Sequence, residues 1–348
     1  MTIPQEIMLS SNDRIGVWFP TIRTSTGSDV FTVRLSEALA ERGIRTQITW
    51  LPHHAEYLPW IVPIPNPPEW ATVVHINSWM PERFIPSHMP LVVTIHHCIH
   101  DPALNTFKSS AQRLYHKFWV WRCESTAIHR ADVLTTVSHY TSRMAEFTFS
   151  CPKILPIYNW VDPNVFSPRE SKHPHSPFRL LFVGSMNTRK GSDLLDQIMI
   201  SLGSDYELRC VCDRKALPHR LAHIPNVIAL GRMDTVQELA DTYRTSDALL
   251  FPSRLEGFGL VALEAQSCGI PVIATNGSSL PEVVQNGVTG LLCPQDDVEA
   301  FANAARKLSN NINLWRSMCQ AASLQVQSKF NEDESINTYM QIYRNLSV

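Results

Sequence analysis

The side chains whose types and spacing best suit chemistry lie in residues 251–264, F-P-S-R-L-E-G-F-G-L-V-A-L-E. The pattern predicts a strand that stops at Pro252, a loop carrying Glu256 and two glycines, and a helix that opens near Gly259. A helix that starts after a glycine-rich loop offers unpaired backbone N–H groups and its positive dipole end to an anion. A diphosphate can sit against Phe258, Gly259 and Leu260. Glu264 falls about one and a half turns into that helix, at about 3.6 residues per turn, and its carboxylate can accept two hydrogen bonds from ribose hydroxyls. Glu256 stands in the loop ahead of the anion, where a sugar would lie. Two glutamates at this spacing can equally face solvent, because exposed glutamates are common. The glycine loop and the apolar helix favour a site.

Three further stretches carry candidate groups. Residues 184–191, G-S-M-N-T-R-K-G, lie between a predicted strand and a helix, a usual place for phosphate, with Arg189 and Lys190 supplying positive charge. Thr26-Gly27-Ser28 opens the first predicted helix and also reads as a plain helix N-terminus. The apolar run L-V-V-T-I-H-H-C over 91–98 ends in His96, with His97 and His100 close by. A lone histidine at a strand end is more often structural than catalytic.

The elements that must hold these groups alternate strand and helix. Strands are predicted over 14–18, 44–50, 71–76, 91–96 and 131–137, with helices over 27–42 and 108–128. Residues 167–178, S-P-R-E-S-K-H-P-H-S-P-F, have the composition of a linker. The pattern then restarts, with strands over 179–184, 206–212, 226–229, 247–252, 271–275 and 290–293, and helices over 235–244, 259–268 and 298–308. Such alternation implies parallel sheets covered by helices. The expected division is an N-terminal unit over 1–166, the linker 167–178, a C-terminal unit over 179–330, and a final helix over 331–348 that packs back on the first unit. Ligands of such sheets bind beyond the carboxyl ends of the strands, so the chemistry is expected where the two carboxyl edges face each other.

The stretch from Pro252 to Ala265 resembles the E-x7-E signature of glycosyltransferase family 4. C-G-I-P-V-I-A-T over 268–275, L-P-E over 280–282 and G-V-T-G-L-L over 287–292 resemble the segments that follow it in that family. The likeness is strong over 178–308 and looser before. It implies an α/β GT-B fold, two Rossmann-like domains with parallel sheets facing across a cleft. It also implies a retaining, metal-independent transfer of a hexose-type sugar from a nucleotide diphosphate donor to an acceptor hydroxyl. No cofactor is implied beyond the donor substrate.

By the same resemblance, Lys190 neutralises the donor diphosphate. Ser185 stands where the family usually has arginine, and Arg189 is the candidate to supply the missing charge. The backbone of Gly27 touches the diphosphate, although Thr26 replaces the first glycine of the family's pair. His96 matches the histidine that approaches the transferred sugar. Asn159-Trp160-Val161-Asp162 resembles the family's N-G-V-D and is read as hinge and marker. The site expected is therefore Glu256, His96 and Lys190 for catalysis, with Gly27, Ser185, Arg189, Phe258, Gly259, Leu260 and Glu264 binding donor. The alternative is a catalytically inactive GT-B protein that binds sugar nucleotides or scaffolds a complex, since fold alone does not give function.

Composition narrows the rest. A chain of 348 residues suits two domains, and a net charge of -2 gives no basic field for nucleic acid. No Asp-x-Asp pair or H-E-x-x-H pattern calls for a metal. The eight scattered cysteines read as reduced thiols. No signal peptide is evident over 1–14 and no apolar run reaches a membrane span, so a cytoplasmic location is expected, with peripheral contact on the inner face of the membrane as a variant. That variant rests on residues 108–128, where Lys108, Arg113, Lys117 and Arg122 mix with Leu114, Tyr115, Phe118, Trp119 and Trp121. Basic and aromatic groups together suit an anionic bilayer and a lipid-linked acceptor. Helical spacing offers the other reading, in which Leu114, Phe118 and Trp121 form a buried stripe. The acceptor is expected to be a carbohydrate or a lipid-linked sugar, within surface polysaccharide, lipopolysaccharide or glycolipid synthesis.

Overall fold

The computed structural model describes residues 15–24, 26–168 and 173–347. The 1–14 segment and residues 169–172 of the expected linker lie outside the described residues.

The first unit runs β1 (Gly16–Ile22), α1 (Gly27–Glu41), β2 (Arg45–Leu51), β3 (Val73–Asn77), β4 (Leu91–Ile95), α2 (Ser110–Tyr115), α3 (Trp121–Arg130), β5 (Val133–Thr136), α4 (His139–Phe149) and β6 (Leu155–Pro156). Its six strands lie in the order β2-β1-β3-β4-β5-β6, each pair parallel. The inner strands are buried on both faces, as parallel strands under helices must be. In α1, Phe31, Leu35, Ala38 and Leu39 recur at helical spacing and are buried against β1, β3 and β4.

The second unit runs β7 (Phe178–Val183), α5 (Leu195–Leu202), β8 (Tyr206–Val211), α6 (His219–Ala222), β9 (Val227–Ala229), α7 (Val236–Arg244), β10 (Ala248–Phe251), α8 (Leu260–Ser267), β11 (Val272–Thr275), α9 (Leu280–Val283), β12 (Gly290–Cys293), α10 (Val298–Ser309) and α11 (Ile312–Lys329). Its strands order as β12-β11-β10-β7-β8-β9, again all parallel. The last helix, α12 (Glu332–Leu346), leaves this unit and buries Ile336, Tyr339, Met340 and Tyr343 in the core of the first sheet beside α1. All eight cysteines are unpaired, and no described helix is long and apolar enough to cross a membrane.

Sheet order decides where ligands go. Strand order reverses direction between β1 and β3 in the first sheet, and between β7 and β10 in the second. A crevice opens at each such switch point, beyond the carboxyl ends of the strands. The loops that leave β7 and β10 are the two motif loops, 184–191 and 252–259. The loop that leaves β1 opens α1 at Gly27.

One expectation fails. Residues 110–130 are helical, but a π-turn (His116–Val120) interrupts them, and α2 buries none of its residues. Leu114, Phe118 and Trp121 are not a core stripe; they are 62%, 64% and 45% exposed. The extra residue of a π-turn rotates the helix face. The buried stripe is instead Val120, Cys123, Ala127 and Ile128. Tyr115 and Trp119 lean on the loop that follows β2, where the Trp119 indole N–H donates to the Glu56 carbonyl at 2.8 Å.

Candidate active site

A cleft of about 650 Å³ lies between the two carboxyl edges and draws residues from both units. Of the side chains picked out in the sequence, Gly27, His96, Arg189, Lys190, Glu256, Phe258, Gly259 and Leu260 line it. Ser185 and Glu264 do not line it.

Lys190 and Glu256 meet inside the cleft. The Lys190 ammonium donates to Glu256 Oε1 at 2.5 Å, and the Ser253 hydroxyl donates to the same oxygen at 2.6 Å. Burial alone would push the Glu256 carboxyl up; Lys190, then Arg189 and these hydrogen bonds, hold it below the ordinary carboxylate range. The carboxyl is therefore ionised at neutral pH. The close approach of the two loops has a backbone cause. Gly191 adopts φ +72, and a Cβ there would stand 2.2 Å from the Pro252 carbonyl oxygen. Arg254 ties the same loops together by a two-pronged bond to Asp193 at 2.7 and 2.9 Å, a 2.6 Å bond to Asp296, and a bond to the Thr188 carbonyl.

Two helix N-termini converge on this pair. Gly259, at φ +103, precedes α8, whose first bonds run from Ala262 and Leu263 to the Gly259 carbonyl. The Leu260 and Val261 amides have no acceptor among the described residues. Across the cleft, Gly27 opens α1 so close that a Cβ there would lie 3.7 Å from Leu260 Cδ1. Two positive dipole ends plus Arg189 and Lys190 form a receptacle for an anion.

His96 lines the cleft from the first unit. Its Nε2–H donates to Asn77 Oδ1 at 2.8 Å, which leaves Nδ1 as the acceptor nitrogen, and its ring packs edge-on against Phe31 at 4.7 Å. Burial lowers its pKa to about 3, so the ring is neutral at pH 7. The His96 carbonyl also meets the second unit: a Cβ at Gly257 would stand 1.9 Å from it. That glycine's own carbonyl accepts from Ser138 and Thr141 at 2.6 and 2.9 Å, and Glu282 caps the start of α4 by accepting from the His139 and Tyr140 amides.

The two remaining candidates behave differently. Ser185 is exposed, and the guanidinium charge at the cleft comes from Arg189, which also donates to the Leu255 carbonyl at 3.1 Å. Glu264 is buried with both oxygens engaged: Oε1 accepts from Arg34 at 3.2 Å and Oε2 from the Tyr243 hydroxyl at 3.1 Å. Its carboxylate ties α8 of the second unit to α1 of the first.

Sequence reasoning missed Trp79, His97 and Asn159 as cleft residues. The buried Nε2 of His97 and Oδ1 of Asn159 have no hydrogen-bond partner among the described residues. Burial lowers the His97 pKa to about 4. No motif signal marks Trp79; His97 was overshadowed by its neighbour. Among the described residues, no three His, Cys, Asp or Glu side chains converge as a metal site. Beside the Glu256 carboxylate, the cleft presents the cations Arg189 and Lys190 and the free amides at the start of α8.

Residues 25–165 match the family described as Glycosyltransferase Family 4, and residues 177–311 match the one described as Glycosyl transferases group 1. The chain belongs to glycosyltransferase family 4. This glycosyltransferase is 30% identical, over 71% of its length and 70% of the relative's, to an uncharacterized 41.2 kDa protein in the cps region of Klebsiella pneumoniae. It is 31% identical to the N-acetyl-alpha-D-glucosaminyl L-malate synthase of Bacillus anthracis, over 62% of this chain and 60% of that enzyme. The match thus spans less than two thirds of that enzyme's length. Its fold is that of the sucrose-phosphate synthase from Thermosynechococcus elongatus, with a TM-score of 0.76 at 18% identity, covering 95% of this chain and 99% of that one. Anabaena HepE, solved with UDP and glucose, has a TM-score of 0.72 at 14% identity, covering 95% and 100%. The glycosyltransferase therefore has the GT-B architecture.

Proposed function

We propose that this glycosyltransferase moves a hexose-type sugar from a nucleotide diphosphate to an acceptor hydroxyl with retention of configuration and without a metal. The observation that carries the reading is the ion pair of Lys190 and Glu256, set at the cleft between the N-termini of α1 and α8. The donor diphosphate sits on Lys190, Arg189 and the Gly27 and Leu260 amides. The bond from the anomeric carbon to the phosphate oxygen breaks, and its electron pair leaves on the diphosphate, where that positive receptacle stabilises it. The acceptor oxygen bonds to the anomeric carbon on the same face, and its proton passes to a phosphate oxygen of the leaving group. Glu256 orients the sugar and offsets positive charge on the ring. His96, neutral, and His97 offer hydrogen bonds to sugar hydroxyls. Glu264 reaches a ribose only if the donor displaces Arg34 or Tyr243.

The acceptor enters from the first unit. The exposed basic and aromatic face of residues 108–128 supports a peripheral contact with the membrane and a lipid-linked acceptor, in surface polysaccharide, lipopolysaccharide or glycolipid synthesis. The Klebsiella relative's cps region supports the same setting. The test is a thermal-shift screen of UDP, GDP, ADP and dTDP sugars, followed by turnover of the radiolabelled donor that binds. A ligand of the native state raises the melting temperature by mass action. No shift with any of them refutes the donor class, and binding without turnover identifies the inactive alternative.

A further inference from the structure

Beside the cleft lies a second cavity of about 810 Å³, lined by Lys108, Arg113, Lys117, Arg122, Phe118 and Trp121, with His100 and His116 at its inner end. It adjoins the first, since Lys108 and His116 line both. Its charge is one-sided. None of the four cations forms an ion pair with a described carboxylate. Arg113 donates to the Ser110 hydroxyl, Lys108 to the Ile99 carbonyl, and Lys117 lies 5.7 Å from the Phe118 ring centroid. Two buried acids act on Lys108 through space, and both are engaged elsewhere: Asp101 accepts from the Ala103 amide and the Tyr140 hydroxyl, and Glu124 accepts from Ser78 on one oxygen while the other stands 3.0 Å from His100 Nε2.

The same walls are apolar at the rim. Phe118 and Trp121 are largely exposed, as is Leu114 on the same helical segment. Unpaired guanidinium and ammonium groups beside exposed aromatic rings fit one ligand chemistry: a phosphate group attached to an alkyl or prenyl chain. A free sugar offers neither the charge nor the chain.

We propose that this cavity is an acceptor subsite, in which Lys108, Arg113, Lys117 and Arg122 hold the phosphate of an amphiphilic acceptor while its chain runs over Phe118 and Trp121. The subsite rests on the glycosyltransferase reading only for its use; its binding chemistry stands alone. The subsite shares its Lys108 and His116 wall with the reaction cleft, so the acceptor hydroxyl is delivered past those two residues toward Glu256.

The probe is dodecyl phosphate below its micelle-forming concentration, titrated calorimetrically into the full chain, with dodecyl maltoside and inorganic phosphate as comparison arms. Dodecyl phosphate is expected to bind at least about 10-fold more tightly than either, and to weaken as salt rises through the screening of exposed charges. The variant K117E/R122E, which alters two exposed side chains, is expected to lose at least about 10-fold in that affinity while its melting temperature and its binding of UDP stay unchanged. Equal binding of the charged and uncharged amphiphiles overturns the subsite, as does an unaltered variant or a wild-type chain that binds no dodecyl phosphate. Inorganic phosphate binding as tightly as dodecyl phosphate removes the apolar half of the proposal. UDP binding without dodecyl phosphate binding leaves the donor reading standing and the subsite refuted; the reverse result does the opposite.

Discussion

Replacing Glu256 with glutamine removes one charge and changes the shape little. In the wild type that charge is held 2.5 Å from the Lys190 ammonium, with the two side chains 10% and 15% exposed. Removing one partner of a fully buried ion pair costs about 3–5 kcal/mol, most of it from the charge left behind. The cost here is smaller, about 1–3 kcal/mol, because the pair opens on the cleft and the glutamine carbonyl still accepts from Lys190 and Ser253. At about 2–4 °C per kcal/mol for a domain of this size, a loss near the middle of that range lowers the melting temperature by about 4–8 °C. The chain stays folded at 25 °C. Turnover is expected to fall by at least about 10²-fold, the scale seen when a group aimed at developing charge is removed. Circular dichroism melts and initial rates with a radiolabelled donor read the two effects separately. Adding Lys190→Met restores neutrality, so the double variant is expected to be at least about 1 kcal/mol more stable than the two single effects summed. Its turnover stays low. A folded Glu256→Gln chain with near-wild-type turnover refutes the catalytic role, and strictly additive stabilities refute the ion-pair account.

Other outcomes follow from the same geometry. Rates in excess EDTA are expected to match those in magnesium, because the groups around the diphosphate position supply the positive charge; a complete, metal-reversible loss refutes the reading. His75 is buried between the Tyr343 hydroxyl at 2.6 Å and Thr94 at 2.7 Å, and burial lowers its pKa to about 3. Between that value and the ordinary 6.5 the unfolded chain binds a proton that the folded chain does not, so stability falls as pH falls through that window. Urea titrations at pH 7 and pH 5 are expected to differ by about 2 kcal/mol from this group, and His75→Gln is expected to shrink the difference; an unchanged difference assigns it elsewhere. Vesicle co-sedimentation is expected to recover the chain with anionic but not neutral liposomes at low salt, and R113E/K117E to abolish it; protein that stays in the supernatant with anionic vesicles sinks the membrane contact.

The parts of the fold that the sequence makes legible are those set by short-range physics. The strand–loop–helix units around Gly184, Gly27 and Gly259 follow from hydrophobic period and glycine position, and all three turn up as helix starts or turns at a switch point. What the sequence hides depends on partners far along the chain. Nothing local at Glu264 shows that Arg34, 230 residues earlier, will occupy its carboxylate. Nothing at Arg254 announces Asp193 and Asp296. The face of residues 110–130 is misread for a different reason: the 3.6-residue period assumes an unbroken helix, and the π-turn (His116–Val120) breaks the count.

These long-range contacts share a position. Arg34 with Glu264, Ser138 and Thr141 with Gly257, and Glu282 with the start of α4 each join one unit to the other. They also lie beside the residues that would touch donor: Gly257 follows Glu256, Glu264 belongs to the helix whose N-terminus faces the anion, and Ser138 adjoins the cleft residue Val137. A sugar nucleotide whose ribose hydroxyls donate to Glu264 would compete with the Arg34 and Tyr243 donors, the first of which holds the two units together. On that reading, donor binding would be coupled to the relative setting of the units through the same carboxylate. The size of that coupling is bounded by the differential affinity of donor for the two arrangements.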